Sequence, residues 1–202
     1  MSQYNTVADE ATITTTAKAL ESNGFTVTIA EDAAAAKAMV LEKLPKDAEV
    51  LTVTSQTLEK IGLVTAINDS GEYDSVREKL IAMGNENKSE QRKLSAAPDF
   101  VVGSVQAITQ EGHAFLASAT GSQLPAYTYG AGHVIWVVGA QKIVKDTADA
   151  WQRLKQHILP LEDVRSQKAY GVGTSPNKVV IFDREAAPGR VEIVLVKEAL
   201  GF

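Results

Sequence analysis

Three polar segments carry the side chains best suited to chemistry. The first is Thr54-Ser55-Gln56-Thr57, where a strand pattern hands over to a helix pattern. Ligands of open α/β sheets bind beyond the carboxyl ends of strands, and free N–H groups at a helix start favour anions, so Ser55, Gln56 and Thr57 are candidate ligand contacts. Ser55 would equally serve as a plain helix cap, and the two roles can coexist. The second segment is Gln110-Glu111-Gly112-His113, between two strand patterns. Glu111 is the candidate catalytic group, because a desolvated carboxylate works as a base or nucleophile, with Gln110 beside it as a ligand contact. The plainer alternative is a hairpin turn with Gly112 at positive φ. The third segment, Thr120-Gly121-Ser122-Gln123-Leu124-Pro125, is built of small and polar residues that let a ligand approach the backbone, and the same composition makes an ordinary turn. Lys142, at the end of an apolar strand, would neutralise a ligand carboxylate; a surface lysine is the alternative.

Other chemistries lack their residues. There is no Gly-x4-Gly-Lys-Ser/Thr loop, no His-Glu-x-x-His and no Gly-x-Ser-x-Gly elbow. Gly130-x-Gly132 and Gly171-x-Gly173 are too short for a dinucleotide fingerprint. His113, His133 and His157 lack metal-ligand spacing, so no metal site is expected. His157 reads as a residue of the last turn of its helix, where a positive charge complements the carbonyl ends. The chain has 202 residues and no cysteine, which removes thiolate nucleophiles, Cys-type zinc sites and protein-ligated iron–sulfur clusters. With 20 basic against 25 acidic side chains the net charge is −5, against the basic stripe of a nucleic-acid binder. The longest apolar run, Val134 to Ala140, falls far short of the ~20 residues that cross a bilayer. The opening residues, from Met1-Ser2-Gln3, show no basic start or apolar core of a signal peptide, so a cytoplasmic location is expected.

The elements that must position these groups alternate. A helix is expected over 8–22, ended by Asn23-Gly24, then a strand from Phe25 to Ile29. Asp32 caps a second helix that stops at Pro45, and Glu49 to Val53 is the next strand. A short helix holds Leu58 and Ile61, and a long one runs from Glu72 to Leu94, with Gly84-Asn85 as a break point. Strands follow at Phe100–Gly103, Val105–Thr109, Ala114–Ser118, Val134–Val138, Val179–Phe182 and Val191–Val196. Between them Asp146 caps a helix with Trp151, Leu154 and Ile158 on one stripe, ending before Pro160. The pattern predicts one α/β domain over 1–202 with a mostly parallel sheet covered on both faces. Residues 8–97 form its helix-rich half and 98–202 its strand-rich half.

The runs Ile108-Thr109-Gln110-Glu111-Gly112, Ala117-Ser118-Ala119-Thr120-Gly121-Ser122-Gln123-Leu124-Pro125-Ala126 and Val134 through Val144 resemble the LUD-domain family, of the lactate utilization protein C type. Leu159-Pro160-Leu161-Glu162-Asp163, Ala169-Tyr170-Gly171, Asn177-Lys178, Pro188-Gly189-Arg190 and Glu198-Ala199-Leu200-Gly201-Phe202 extend the likeness. In the first half, Ser55-x-Thr57-Leu58 followed by Ile61-Gly62-Leu63 matches as well. The resemblance implies a three-layer α/β/α Rossmann-like domain, akin to the superfamily of ribose-5-phosphate isomerase and the CoA transferases. It also implies a part in oxidising L-lactate to pyruvate, beside partner proteins that carry iron–sulfur clusters. The sequence departs from the family at Val53-Thr54, where relatives have Gly-Gly, and at Gln110-Glu111, where an acidic pair is usual. It also has Gly171 to Asn177 where some relatives carry cysteines.

Three functional readings follow. One is a binding protein or enzyme of organic-acid metabolism that takes a small anionic metabolite and needs no cofactor in this chain. Another is a non-catalytic accessory subunit docked on a redox partner, and a homodimer is also left open. A third, by analogy with the Glu-x-Gly turn of CoA transferases, is a CoA-ester or sugar-phosphate enzyme with Glu111 as nucleophile or base.

Overall fold

In the computed structural model, which describes residues 3–84 and 86–202, local capping starts most helices where side-chain chemistry calls for it. Asp9 accepts a hydrogen bond from Thr12 N–H at 2.7 Å and opens α1 (Glu10–Ser22). After Gly24, at φ +90°, comes β1 (Thr26–Ala30), and Asp32 accepts from Ala35 N–H at 2.8 Å to open α2 (Ala33–Lys43). Such caps contribute about 1 kcal/mol each. Next come β2 (Glu49–Thr52), α3 (Gln56–Lys60), capped by Ser55, and α4 (Leu63–Asn68).

The long helix expected over 72–94 is divided. It becomes β3 (Asp74–Ser75), α5 (Val76–Ala82) and α6 (Lys88–Ala96). Two features divide it: the Ser75 side chain accepts from Glu78 N–H and caps α5, and Gly84 takes φ +58°, which ends it. Asn85, like Met1 and Ser2, lies outside the described residues.

The second half contains β4 (Phe100–Gly103), β5 (Ala107–Thr109), β6 (Ala114–Ser118), a π-helical turn at Ala126–Gly130, β7 (His133–Gly139) and β8 (Ile143–Val144). Then come α7 (Thr147–Arg153), a π-helical turn at Leu154–Ile158, α8 (Leu159–Tyr170), β9 (Lys178–Phe182) and β10 (Val191–Val196). Pro160 does not stop the helix. It falls in the first turn of α8, where a proline's missing N–H costs least, directly after a wider π turn at Leu154–Ile158. His157 is therefore mid-helix and buried, not in a final turn, and burial together with the Arg153 charge lowers its pKa. Leu154 and Ile158 face the core as expected, whereas Trp151 is partly exposed and meets Phe115 edge-on at 5.0 Å.

Six strands form one parallel sheet in the order β1-β10-β7-β4-β2-β3. Both faces of β7 are buried, and its side chains alternate between two cores. Ile135 and Val137 pack with α2, α3 and α4 through Val40, Leu58 and Leu63. Val134, Trp136 and Val138 face α1 and a second sheet. Helices thus flank the central sheet on both sides in a three-layer α/β/α arrangement. Trp136 anchors the second core, with Tyr127 and Phe182 edge-on at 5.5 and 5.1 Å. Each such pair adds about 0.5–1.5 kcal/mol beyond simple burial.

A second sheet, β8-β5-β6-β9, is an addition that the strand pattern did not separate. Its β5–β6 and β6–β9 pairs are antiparallel. The tight turn at Gly112, φ +85°, leaves too little chain between β5 and β6 for a parallel crossover. The outer face of this sheet, through Ala107, Phe115 and Val144, is covered by Ala150, Leu154 and Ile158.

Candidate anion-binding cavity

β2, β4 and β7 run parallel, so the segments that follow them leave the same edge of the sheet. Those segments converge on a cavity of about 530 Å3, within the size range of small-molecule sites. Ser55, Gln56 and Thr57 line it after β2, Ser104 and Gln106 after β4, and Lys142 after β7. The exit of β6 adds Ser118, Thr120, Ser122 and Gln123. The opposite wall is α8 and the loop beyond it, including Glu162, Arg165, Ser166 and Thr174.

Lys142 is the dominant charge. It is 4% exposed and therefore not the surface lysine of the alternative reading. Its ammonium donates to Thr57 Oγ1 at 3.0 Å, Ser104 Oγ at 3.1 Å and the Val105 carbonyl at 3.2 Å. The Thr57 hydroxyl itself donates to the Leu200 carbonyl at 3.1 Å, and the Ser104 hydroxyl to the Val137 carbonyl at 2.7 Å. Both hydroxyl protons are thus committed, and three acceptors face three ammonium protons. No carboxylate pairs with Lys142 among the described residues. Burial, and secondarily the Arg153 charge, push its pKa down to about 7. The three acceptors work in the opposite direction by solvating the charged form. Lys142 is therefore poised to exchange a proton near neutrality and to gain from a nearby anion.

Arg153 deepens the positive potential. It is fully buried at the end of α7, donates to the Gln106 carbonyl at 2.6 Å, and leaves Nε and Nη2 without hydrogen-bond partners among the described residues. Burial lowers its pKa to about 10, still well above neutrality. Tyr4, whose ring lies 6.0 Å from the guanidinium, donates to Asp149 at 2.8 Å, which gives this cation a nearby negative group. On the opposite wall Arg165 is neutralised: its fork donates to both oxygens of Glu162, at 2.7 and 2.6 Å. Among the described residues Glu162 is the one acidic side chain lining the cavity, and it is already taken. Tyr127, a buried aromatic side chain, also lines this space.

The structure brings together Ser55, Gln56, Thr57, Thr120, Ser122, Gln123 and Lys142, all on the cavity wall. Gly121 does not line it. Its N–H donates to Ser118 Oγ at 2.8 Å and its φ of +83° shapes the turn that presents its neighbours. Gln110 and Glu111 are elsewhere, beyond the far end of β5, in the hairpin turn of the plainer alternative. The Glu111 side chain is 63% exposed, with a carboxylate oxygen 3.8 Å from His113 Nδ1. Asn23 donates to the carbonyls of Glu111 and Gly112 and pins that turn against α1. Glu111 is therefore not placed to act on anything held in the cavity. Residues not singled out from the sequence include Ser104, Gln106, Tyr127, Glu162 and Arg165. Ser104 leaves a strand end as Ser55 does, a signal that was present in the pattern, whereas Gln106 was expected inside a strand over Val105–Thr109 and in fact precedes β5. Arg165 and Tyr127 reach the cavity only through tertiary packing.

Comparison with known proteins agrees with this architecture. The LUD domain model matches residues 13–196. The crystal structure of a DUF162 family protein from Deinococcus radiodurans superposes with a TM-score of 0.55 at 10% identity, covering 97% of this chain and 99% of that one, a likeness of fold. No curated protein matches the chain. With the family model spanning nearly all of the sequence, and the parallel sheet and its strand-end cavity in place, the chain belongs to the LUD-domain family.

Proposed function

We propose that the chain binds a small organic acid, a 2-hydroxy or 2-oxo carboxylate of the L-lactate and pyruvate type, in the cavity beside Lys142. The observation that carries this reading is the buried Lys142 ammonium, which lines the cavity and has no carboxylate partner among the described residues. A buried charge without a counter-ion is costly, and an anionic ligand offsets that cost directly. The surrounding hydroxyl and amide groups suit the oxygen atoms of such an acid. The family name points the same way, to lactate utilization. Oxidation of lactate to pyruvate releases two electrons and two protons. The chain has no cysteine to hold an iron–sulfur cluster, so in this reading the electrons pass to a separate redox protein.

A second reading, a ligand-holding accessory subunit, is favoured by one feature. Glu162, the acidic side chain lining the cavity, is held by Arg165 and is not free to act as a base.

Thermal melting in L-lactate, pyruvate and the neutral analogue lactamide tests the binding reading. The acids are expected to stabilise the protein by about 2.7 kcal/mol at 100 times the dissociation constant, and lactamide not to. The shift should vanish in Lys142→Met. Equal shifts in that variant, or none with either acid, would end the proposal.

A further inference from the structure

A second cavity, about 380 Å3, lies between the exit of β2 and the helices α5 and α6. Its floor is apolar, made of Leu51, Val53, Leu80 and Ile81. Ile81 is 63% exposed, a large aliphatic side chain that the rest of the chain leaves uncovered. The rim is cationic: Arg77 on α5, with Lys88 and Arg92 on α6. None of the described residues lining this groove is acidic.

The two arginines that line the groove differ from Lys79 and Lys93 on the same helices. Lys79 is paired with Asp74 and Glu49, and Lys93 with Glu90. None of those lysines lines the groove. Arg77 and Arg92, which do, are in no ion pair among the described residues. Arg77 is held in place by a neutral contact, donating from Nη1 to Thr54 Oγ1 at 3.2 Å. Thr54 belongs to the strip of Val53, Thr54, Ser122 and Gln123 that lines both cavities.

An apolar floor under unneutralised guanidinium groups suits a ligand with an apolar or flat body and a strongly anionic end. The planar guanidinium fork matches phosphate oxygens in pairs. Two guanidinium groups on one rim also exceed what a single carboxylate would use. We infer that the groove is a binding site for an organic phosphate with an apolar or aromatic body, its phosphoryl group against Arg77 and Arg92 and its body on Leu80 and Ile81. The ligand so held lies beside the occupant of the main cavity, across the shared strip. This inference does not depend on what that occupant is.

Isothermal titration calorimetry with ADP as the probe tests it, with adenosine and inorganic pyrophosphate as the two half-ligands. ADP is expected to bind more tightly than either half. Its affinity should fall about tenfold or more in the Arg77→Gln/Arg92→Gln variant, since hydrogen bonds to charged groups are the strong ones. Ile81→Glu, which puts a charge of the wrong sign on the floor, should weaken ADP comparably, whereas Lys142→Met should leave ADP binding unchanged. Both arginines are on the outer face of short helices, and far-ultraviolet circular dichroism verifies that the variants keep their fold. Absence of ADP binding would overturn the inference. So would ADP binding that survives the double substitution, that pyrophosphate alone matches, or that depends on Lys142 instead.

Discussion

The Lys142 ammonium stands 3.0 Å from Thr57 Oγ1, which joins the end of the most buried strand to the first turn of a helix from the opposite half of the chain. The Thr57 hydroxyl donates a hydrogen bond to the Leu200 carbonyl, and Gln141 Nε2 donates to the same oxygen at 2.8 Å. The C-terminal tail, the α3 corner and the cavity cation therefore form one hydrogen-bonded unit.

Stability should depend on pH through Lys142. Its folded pKa, about 7, is below the unfolded value of 10.5, so the unfolded chain binds more protons between those limits. The cost of the buried charge is fully present below pH 7 and fades as pH rises. Urea unfolding is expected to show stability rising by up to about 1.4 kcal/mol per pH unit between pH 7 and 9. Lys142→Met should remove that slope.

Anion affinity should run the other way. A bound carboxylate favours the charged ammonium, so binding takes up a proton above pH 7. The dissociation constant of L-lactate or pyruvate is expected to weaken by up to about tenfold per unit above that point. Lys142→Arg, which stays charged, should flatten the profile; an unchanged slope in that variant would remove Lys142 from the site.

The hairpin carrying Glu111 should prove structural. Glu111→Gln is expected to change stability by less than about 0.5 kcal/mol, as for most exposed side chains, and to leave the ligand-induced melting shift intact. Gly112→Ala should destabilise by about 1–3 kcal/mol. Its new Cβ would lie 2.5 Å from the Ala19 carbonyl carbon, in a backbone conformation with φ +85°.

Close packing behind the cavity gives a further test. A Cβ at Gly103 would lie 1.7 Å from Tyr127 Oη and 2.8 Å from Val53 Cγ2. Gly103→Ala is expected to cost about 1–3 kcal/mol in urea unfolding. Tyr127→Phe combined with Gly103→Ala should restore part of the loss, because it removes the oxygen that the new Cβ would meet.

Much of the fold was legible in the chain because its signals are local. Asp32 and Asp146 cap helices where they were expected, and the runs Ala114–Ser118 and Val191–Val196 are strands over those residues. The errors occurred where a local signal met a longer-range one. Pro160 lost to a π turn, and the apolar spacing of residues 72–94 hid a cap at Ser75, although the break at Gly84 was marked by its glycine.

The site divides in the same way. Residue types and strand-to-helix corners were enough to place Ser55, Gln56, Thr57, Ser122, Gln123 and Lys142 among the candidates. They could not separate these from Gln110 and Glu111, which have equally suitable chemistry on an equally polar turn. Only the pairing of β5 with β6 and β8 decided that, because it puts Lys142 beside Val105, just before β5, and Glu111 beyond the other end of that strand. Whether Lys142 was exposed was decided in the same step. A lysine after a strand carries no local mark of burial, and its charge is enclosed only because Thr57, Ser104 and Val105 arrive from distant parts of the chain.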